Sequence, residues 1–254
     1  MTNAPQTFIA RPSVASLFLQ IEFQATRLGS GTGFVVEHGR AKYLVTNFHV
    51  LAGRHPETHG NLDANGAWPD SVRILQNGAL LGNWVPKLEP LYDARGVPLW
   101  LEHPIHRSKV DVVALPLTEL SGVELYPYDP WQEVKAKIDM ASALSIIGFP
   151  FGTTYGGAMA VWVRGFVASE IAINFGDLPR FLIDSRTRSG QSGSPVINYD
   201  ATGSGLVIGG GPIEDFIGVY SGRIIEESDL GFVWKASAVR EVIEGGIRGS
   251  VAMP

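Results

Sequence analysis

The 254-residue chain contains no cysteine, which removes disulfides, thiolate zinc sites and a thiol nucleophile from consideration. It also has no run of about 18 apolar residues, so no helical membrane span and no membrane partner are predicted. The opening Met1–Pro12 lacks the basic start and apolar stretch of a secretory signal. A cytoplasmic location is the plain expectation, with a removed leader the competing one. Basic blocks are missing too: 20 Lys and Arg stand against 25 Asp and Glu, a net charge of -5, so nucleic acid is not expected as a partner. No internal repeat of solenoid length is present.

What is there reads as an all-β chain. Hydrophobic residues make up 45% and charged residues 18%, enough apolar side chain for a packed core, and the length fits one large or two modest domains. Apolar residues alternate along Leu17–Thr26, a strand that the sequence predicts to stop at Gly29-Ser30-Gly31. Gly31–Glu37 and Lys42–Thr46 read as the next two strands, joined by a turn at His38-Gly39-Arg40. Further strands are predicted at Ala143–Gly148, Ala158–Ala168, Phe181–Asp184, Ser194–Asn198, Ile213–Gly222 and Gly231–Lys235. Two Pro/Gly/Asn/Asp-rich stretches, 53–70 and 86–108, read as a surface loop and an added hairpin turning near Asp93-Ala94-Arg95-Gly96. Gly209-Gly210-Gly211 reads as a loop. Only Ala236–Gly245 changes period, with Ser237 as a candidate cap and Gly245 as the end of a short helix.

Chemistry concentrates at three places. Ser192 stands between Gly190-Gln191 and Gly193, His49 follows the apolar run Tyr43–Thr46, and Asp111 is embedded in Val110-Asp111-Val112-Val113. A serine hydroxyl is a weak nucleophile at neutral pH; it needs an imidazole to take its proton and a third group to hold that imidazole in the right tautomer. Unrelated folds thread these three groups in different orders. All six histidines precede Ser192 and no aspartate precedes His49, which excludes the α/β-hydrolase and subtilisin orders. The order His49, Asp111, Ser192 remains.

These residues carry a family resemblance. Gly29-Ser30-Gly31-Thr32-Gly33-Phe34-Val35-Val36 followed by Tyr43-Leu44-Val45-Thr46-Asn47-Phe48-His49-Val50 resembles the first barrel of trypsin-like (chymotrypsin-fold) serine peptidases, above all cysteine-free bacterial HtrA-like protease domains. Ile146-Ile147-Gly148-Phe149-Pro150-Phe151-Gly152 is similar to the strand and loop that open the family's second barrel, and Ile183–Val196 to its nucleophile segment. The resemblance implies two six-stranded antiparallel β-barrels with a short C-terminal helix. Along the chain it implies an extension (1–12), a first barrel (13–120), a connection (121–140), a second barrel (141–235) and a helix with tail (236–254), with no PDZ domain following. It implies catalytic His49, Asp111 and Ser192, an oxyanion hole of backbone N–H groups at Gly190 and Ser192 with Gln191 between them, and a polypeptide substrate. Substrate-binding residues carried over are Arg186, Thr187, Arg188, Ser189, Val219, Tyr220, Ser221 and Gly222, with the Tyr220–Gly222 backbone pairing an extended peptide. Gln191 departs from the Asp or Asn common before the nucleophile, and Ser194 replaces a glycine.

No metal or cofactor is called for. His55/His59 and His103/His106 have metal-compatible spacing but sit in loops without a clear carboxylate partner, and are read as surface residues. Arg186, Arg188 and Arg223 fall near the site and favour an acidic substrate side chain, although solvated loop arginines are the plainer reading. A binding module that holds an extended peptide without cutting it is the alternative function. Control by a regulatory protein partner, by the 53–108 insertions or by assembly stays open.

Overall fold

The computed structural model describes residues 9–63, 66–201, 212–225 and 227–251. The first half runs α1 (Pro12–Ala15), β1 (Ser16–Phe23), β2 (Thr26–His38), β3 (Ala41–Thr46), α2 (Phe48–Ala52), β4 (Ser71–Gly78), β5 (Trp84–Pro90), β6 (Leu101–Glu102), β7 (Val113–Pro116) and β8 (Val123–Glu124). The second half holds β9 (Ala143–Gly148), β10 (Val161–Val167), β11 (Arg180–Ser185), β12 (Pro195–Asp200), β13 (Ile213–Arg223) and β14 (Leu230–Lys235), followed by α3 (Ala236–Gly245) and β15 (Ile247–Arg248). The chain is all-β and chymotrypsin-like: β9 to β14 close into a six-stranded barrel, and the rest form a second, nine-stranded sheet. Gly209-Gly210-Gly211 lies outside the described residues.

That nine-stranded sheet differs from the expected six-stranded barrel and draws strands from three further stretches. The 86–108 stretch contributes β5 and β6, and the chain's end returns after α3 to lay β15 against β6 through Ile247↔Glu102. Of the hairpin predicted over 86–108, the turn near Asp93 is present with a Tyr92↔Pro98 bridge, while β5 pairs with β4 and β6 with β7; the Asp93 carboxylate accepts the N–H groups of Arg95 and Val97 at 2.9 and 3.0 Å. Those backbone donors hold its carboxyl down at about 2. The 121–139 connection adds β8 to β4. Among the described residues no helix is long and apolar enough to cross a membrane.

The first hairpin corrects a sequence expectation. The turn falls at Gln24-Ala25, both with positive φ (49° and 63°), pairing Phe23 with Thr26, and not at Gly29-Ser30-Gly31, which lie inside β2. Glycine is needed at 31 for close approach: a β-carbon there would stand 2.7 Å from Cγ1 of Val50 on α2.

Three apolar clusters hold the architecture. One fills the first sheet around Leu19, Leu44, Phe48, Ile74 and Trp100. A second fills the barrel around Ile146, Phe181, Ile183 and Tyr220. The third joins the halves, setting Phe34, Val36 and Val45 against Phe216, Val219 and Trp234, with Val239 and Val242 of α3 completing it. Helix α3 buries Ala238, Val239, Val242 and Ile243 along one stripe. Its N-cap is Lys235 and its C-cap Gly246, so Ser237 sits inside the first turn and does not cap it. His103 also departs from expectation. It is buried, its Nε2 bonded to Glu241 at 2.6 Å and its Nδ1 accepting two backbone N–H groups, which ties α3 to the first sheet.

Candidate active site

Strand β3 ends at Thr46 and the chain turns into α2, whose apolar Phe48, Val50, Leu51 and Ala52 are drawn into the core. That leaves His49 as the one polar residue of the helix, half-buried at the surface. Gly53, at φ 61°, closes the helix by donating to the His49 carbonyl at 3.1 Å. The antiparallel register Thr46↔Val113 then sets Asp111, two residues before β7, beside this helix.

Asp111 is 2% exposed between two wholly buried valines, and an unpaired carboxylate there would be costly. Among the described residues its hydrogen-bond partners all belong to this site. Its Oδ2 lies 2.7 Å from His49 Nδ1, its Oδ1 accepts the His49 backbone N–H at 3.0 Å, and Ser221 Oγ donates to Oδ2 at 2.9 Å. Asn47 does not cap α2; its Nδ2 donates to the Asp111 carbonyl at 2.6 Å, fixing the backbone as well. Burial of the imidazole opposes its charged form, but attraction and the hydrogen bond from Asp111 outweigh it, and the His49 pKa is raised.

The nucleophile-bearing loop spans β11 to β12 and is clasped from three directions. Gly193 N–H donates to the Tyr220 carbonyl and Tyr220 N–H to the Ser194 carbonyl, both at 2.9 Å. From the first sheet, Thr32 N–H donates to the Ser192 carbonyl at 2.9 Å and Thr32 Oγ1 to the Gly190 carbonyl at 2.8 Å. Within the loop, wholly buried Gln191 accepts the Arg188 N–H on its Oε1 (2.8 Å) and donates its own N–H to the Arg188 carbonyl (3.2 Å). The N–H groups of Gly190 and Ser192 are left with no acceptor among the described residues. Gly190 has φ 92° and Gly193 φ 84°, and a β-carbon on Gly193 would fall 2.0 Å from the Thr32 carbonyl oxygen.

His49, Ser192, Gly190 and Ser189 line one open cleft of about 700 Å³, bordered by exposed Phe151 and by Leu62 and Pro69 of the first insertion. The second insertion packs elsewhere, with Trp100 beneath α2 against Phe48. Of the residues carried over for substrate binding, Ser189 lines this cleft, whereas Arg186 and Arg188 are exposed and outside its lining. Thr187 is buried, its hydroxyl bonded to that of Tyr220. Val219 is core. Tyr220 has both backbone groups taken by the Gly193–Ser194 turn, so the free edge of β13 comprises Ser221, Gly222 and Arg223. Sequence reasoning missed two polar residues here, Thr32 as the clasp and Ser221 as a partner of Asp111. Thr32 carried a faint signal, a hydroxyl at an inward position of an apolar strand; Ser221 carried none, standing 110 positions from its partner.

A closed barrel set against a second sheet, with a carboxylate-paired histidine and a serine of a glycine-rich turn lining one cleft, is the arrangement of the trypsin-like class. The chain belongs to the trypsin-like peptidase domain family, whose model matches residues 31–209. Among solved structures it is similar to a serine endoprotease from Yersinia pestis (14% identity, TM-score 0.55), covering 92% of this chain and 63% of that one. The Rv3671c protease from M. tuberculosis is similar in its active form (18% identity, TM-score 0.52, 94% and 85% of the two chains). Its inactive form matches at 17% identity and TM-score 0.51, over 91% and 88%. At such identities the likeness is one of fold, and this chain spans less than two thirds of the Yersinia chain. No curated protein matches the sequence.

Proposed function

We propose that the chain is a serine endopeptidase that works through an acyl-enzyme. The observation that carries this reading is the doubly bonded His49–Asp111 pair, Nδ1 to Oδ2 at 2.7 Å and N–H to Oδ1 at 3.0 Å, whose His49 lines one cleft with Ser192. Ser192 Oγ attacks the scissile carbonyl carbon while its proton passes to His49 Nε2. Asp111 holds the Nδ1–H tautomer and stabilises the imidazolium. The carbonyl oxygen, now an oxyanion, takes the N–H groups of Gly190 and Ser192 as donors, a contribution on the order of 100 to 1,000-fold in turnover per donor. Collapse expels the amine, which receives the proton from His49. Water, deprotonated by His49, then frees the acid from Ser192.

The test is covalent labelling by a fluorophosphonate probe, read by intact mass. One adduct is expected on the native chain and none on Ser192→Ala. Absence of labelling in native protein, with a known serine peptidase labelled in parallel, defeats the reading; equal peptide affinity in both forms without cleavage would point to a binding module.

A further inference from the structure

A second cavity, about 420 Å³, opens on the other side of His49, where it is lined by Asp111 and Ser221 in place of Ser192. Strand β13 leads into it. Its pairing with β12 ends at Pro195↔Val219, whereas β14 continues alongside through Gly222↔Phe232 and Arg223↔Gly231. The stretch Ser221–Arg223 therefore presents one open edge, the feature that receives an added strand. A substrate strand lying there, one end at Ser192, carries its side chains over this second cavity.

The cavity wall sets three cations, Lys109, Arg180 and Arg223, beside Phe232 and Trp234, with Glu57 and Asp111 as its two carboxylates. None of the three cations forms an ion pair with a described residue. Arg180 is the most constrained. Its guanidinium lies 4.1 Å from the Phe232 ring centre and 5.2 Å from that of Trp234. Among the described residues only its Nε is used, donating to the Phe175 carbonyl at 3.3 Å, so both terminal amino groups keep their donors there. Burial lowers its pKa, with Glu57 and Asp111 pulling the other way. Asp111 is already committed to His49 and Ser221, and Glu57 is an exposed residue of the first insertion. A half-buried planar cation stacked on an aromatic face, with the donors of its two terminal amino groups unspent among the described residues, matches a carboxylate in shape and charge.

We propose that this cavity is a specificity subsite for a glutamate or aspartate side chain of the polypeptide substrate, held by Arg180 with Arg223 and Lys109 around it. The proposal rests on the peptidase reading above and extends it to a substrate class. It differs from an acid preference at the residue bonded to Ser192, because the cations lie beyond Ser221 and not in the nucleophile loop.

The test uses the full chain and a library of fluorogenic eight-residue peptides in which one Glu is moved through every position, each peptide matched by a Gln and a Lys version. The expected result is one position where Glu exceeds Gln by about tenfold or more in kcat/KM, the worth of a charge-assisted hydrogen bond. Lys should be the poorest residue there. Arg180→Gln and Arg223→Gln should each shrink that Glu-to-Gln ratio several-fold. A readout needing no variant guards against misfolding: in the native chain the ratio should fall as NaCl is raised from about 0.05 to about 0.5 M, because screening weakens an exposed ion pair. Native protein that labels with fluorophosphonate but cuts Glu, Gln and Lys peptides alike, or shows a salt-independent ratio, overturns the subsite and spares the peptidase reading. Protein that neither labels nor cuts overturns both.

Discussion

Asp111→Asn is the sharpest perturbation of the site, because nearly the same volume is kept while one ring nitrogen loses its acceptor. Asp111 Oδ2 now accepts from His49 Nδ1 at 2.7 Å and from Ser221 Oγ at 2.9 Å, and Oδ1 accepts the His49 N–H at 3.0 Å. An asparagine carbonyl oxygen can keep only one of those two places. With the oxygen on the His49 N–H, the amide NH2 faces Nδ1, which must then be unprotonated. The ring proton moves to Nε2, so that nitrogen can no longer take the proton of Ser192. The predicted loss in kcat is about 10⁴-fold, or roughly 5 kcal/mol at about 1.4 kcal/mol per factor of ten. The pH profile supplies an independent sign. His49 is raised by Asp111, so the native acid limb of kcat/KM should lie above the ordinary histidine value of about 6.5, and in the variant it should move down. Stability follows linkage: a raised pKa contributes folding free energy that is full below about 6.5 and is lost as pH rises through the folded value. The gap in urea midpoint between native and variant should thus narrow as pH rises through that range. A variant that folds, retains activity within about tenfold and keeps its acid limb in place would refute the tautomer argument.

Three further outcomes are expected. Gly193→Ala forces a β-carbon to 2.0 Å from the Thr32 carbonyl oxygen at φ 84°, and urea unfolding should show about 3 kcal/mol or more lost; a loss under about 1 kcal/mol would mean that the loop relaxes freely. Ser221→Ala removes one donor from Asp111 while leaving the His49 bonds; kcat should fall about tenfold with KM little changed, as stopped assays on one peptide will show. Trp100→Ala empties a wholly buried site under α2, costing about 3 to 5 kcal/mol by thermal or urea unfolding. Trp100 does not line the cleft, so the folded fraction should label normally.

Strand positions were legible in the sequence wherever period-two apolar patterning met a turn residue with a local cause. The His38-Gly39-Arg40 turn, for example, uses Gly39 at φ 60°. Where the cause was distant, reading failed. Gly29-Ser30-Gly31 resembled a turn because a glycine required by the approach of Val50 looks the same in sequence as one required by backbone conformation. His103 resembled a surface residue because its partner Glu241 lies 138 positions away.

By itself the sequence determined the fold class and singled out His49, Asp111 and Ser192 as the candidate reactive residues, because periodicity and side-chain chemistry are local properties. Tertiary structure alone decided which carboxylate oxygen faces which nitrogen, that Thr32 and Tyr220 hold the serine loop, and that Ser221 serves Asp111. It alone also gathered Lys109, Arg180 and Arg223 from three separate segments around one cavity. Those relations arise from strand register and sheet closure, which bring together residues that no spacing rule along the chain connects.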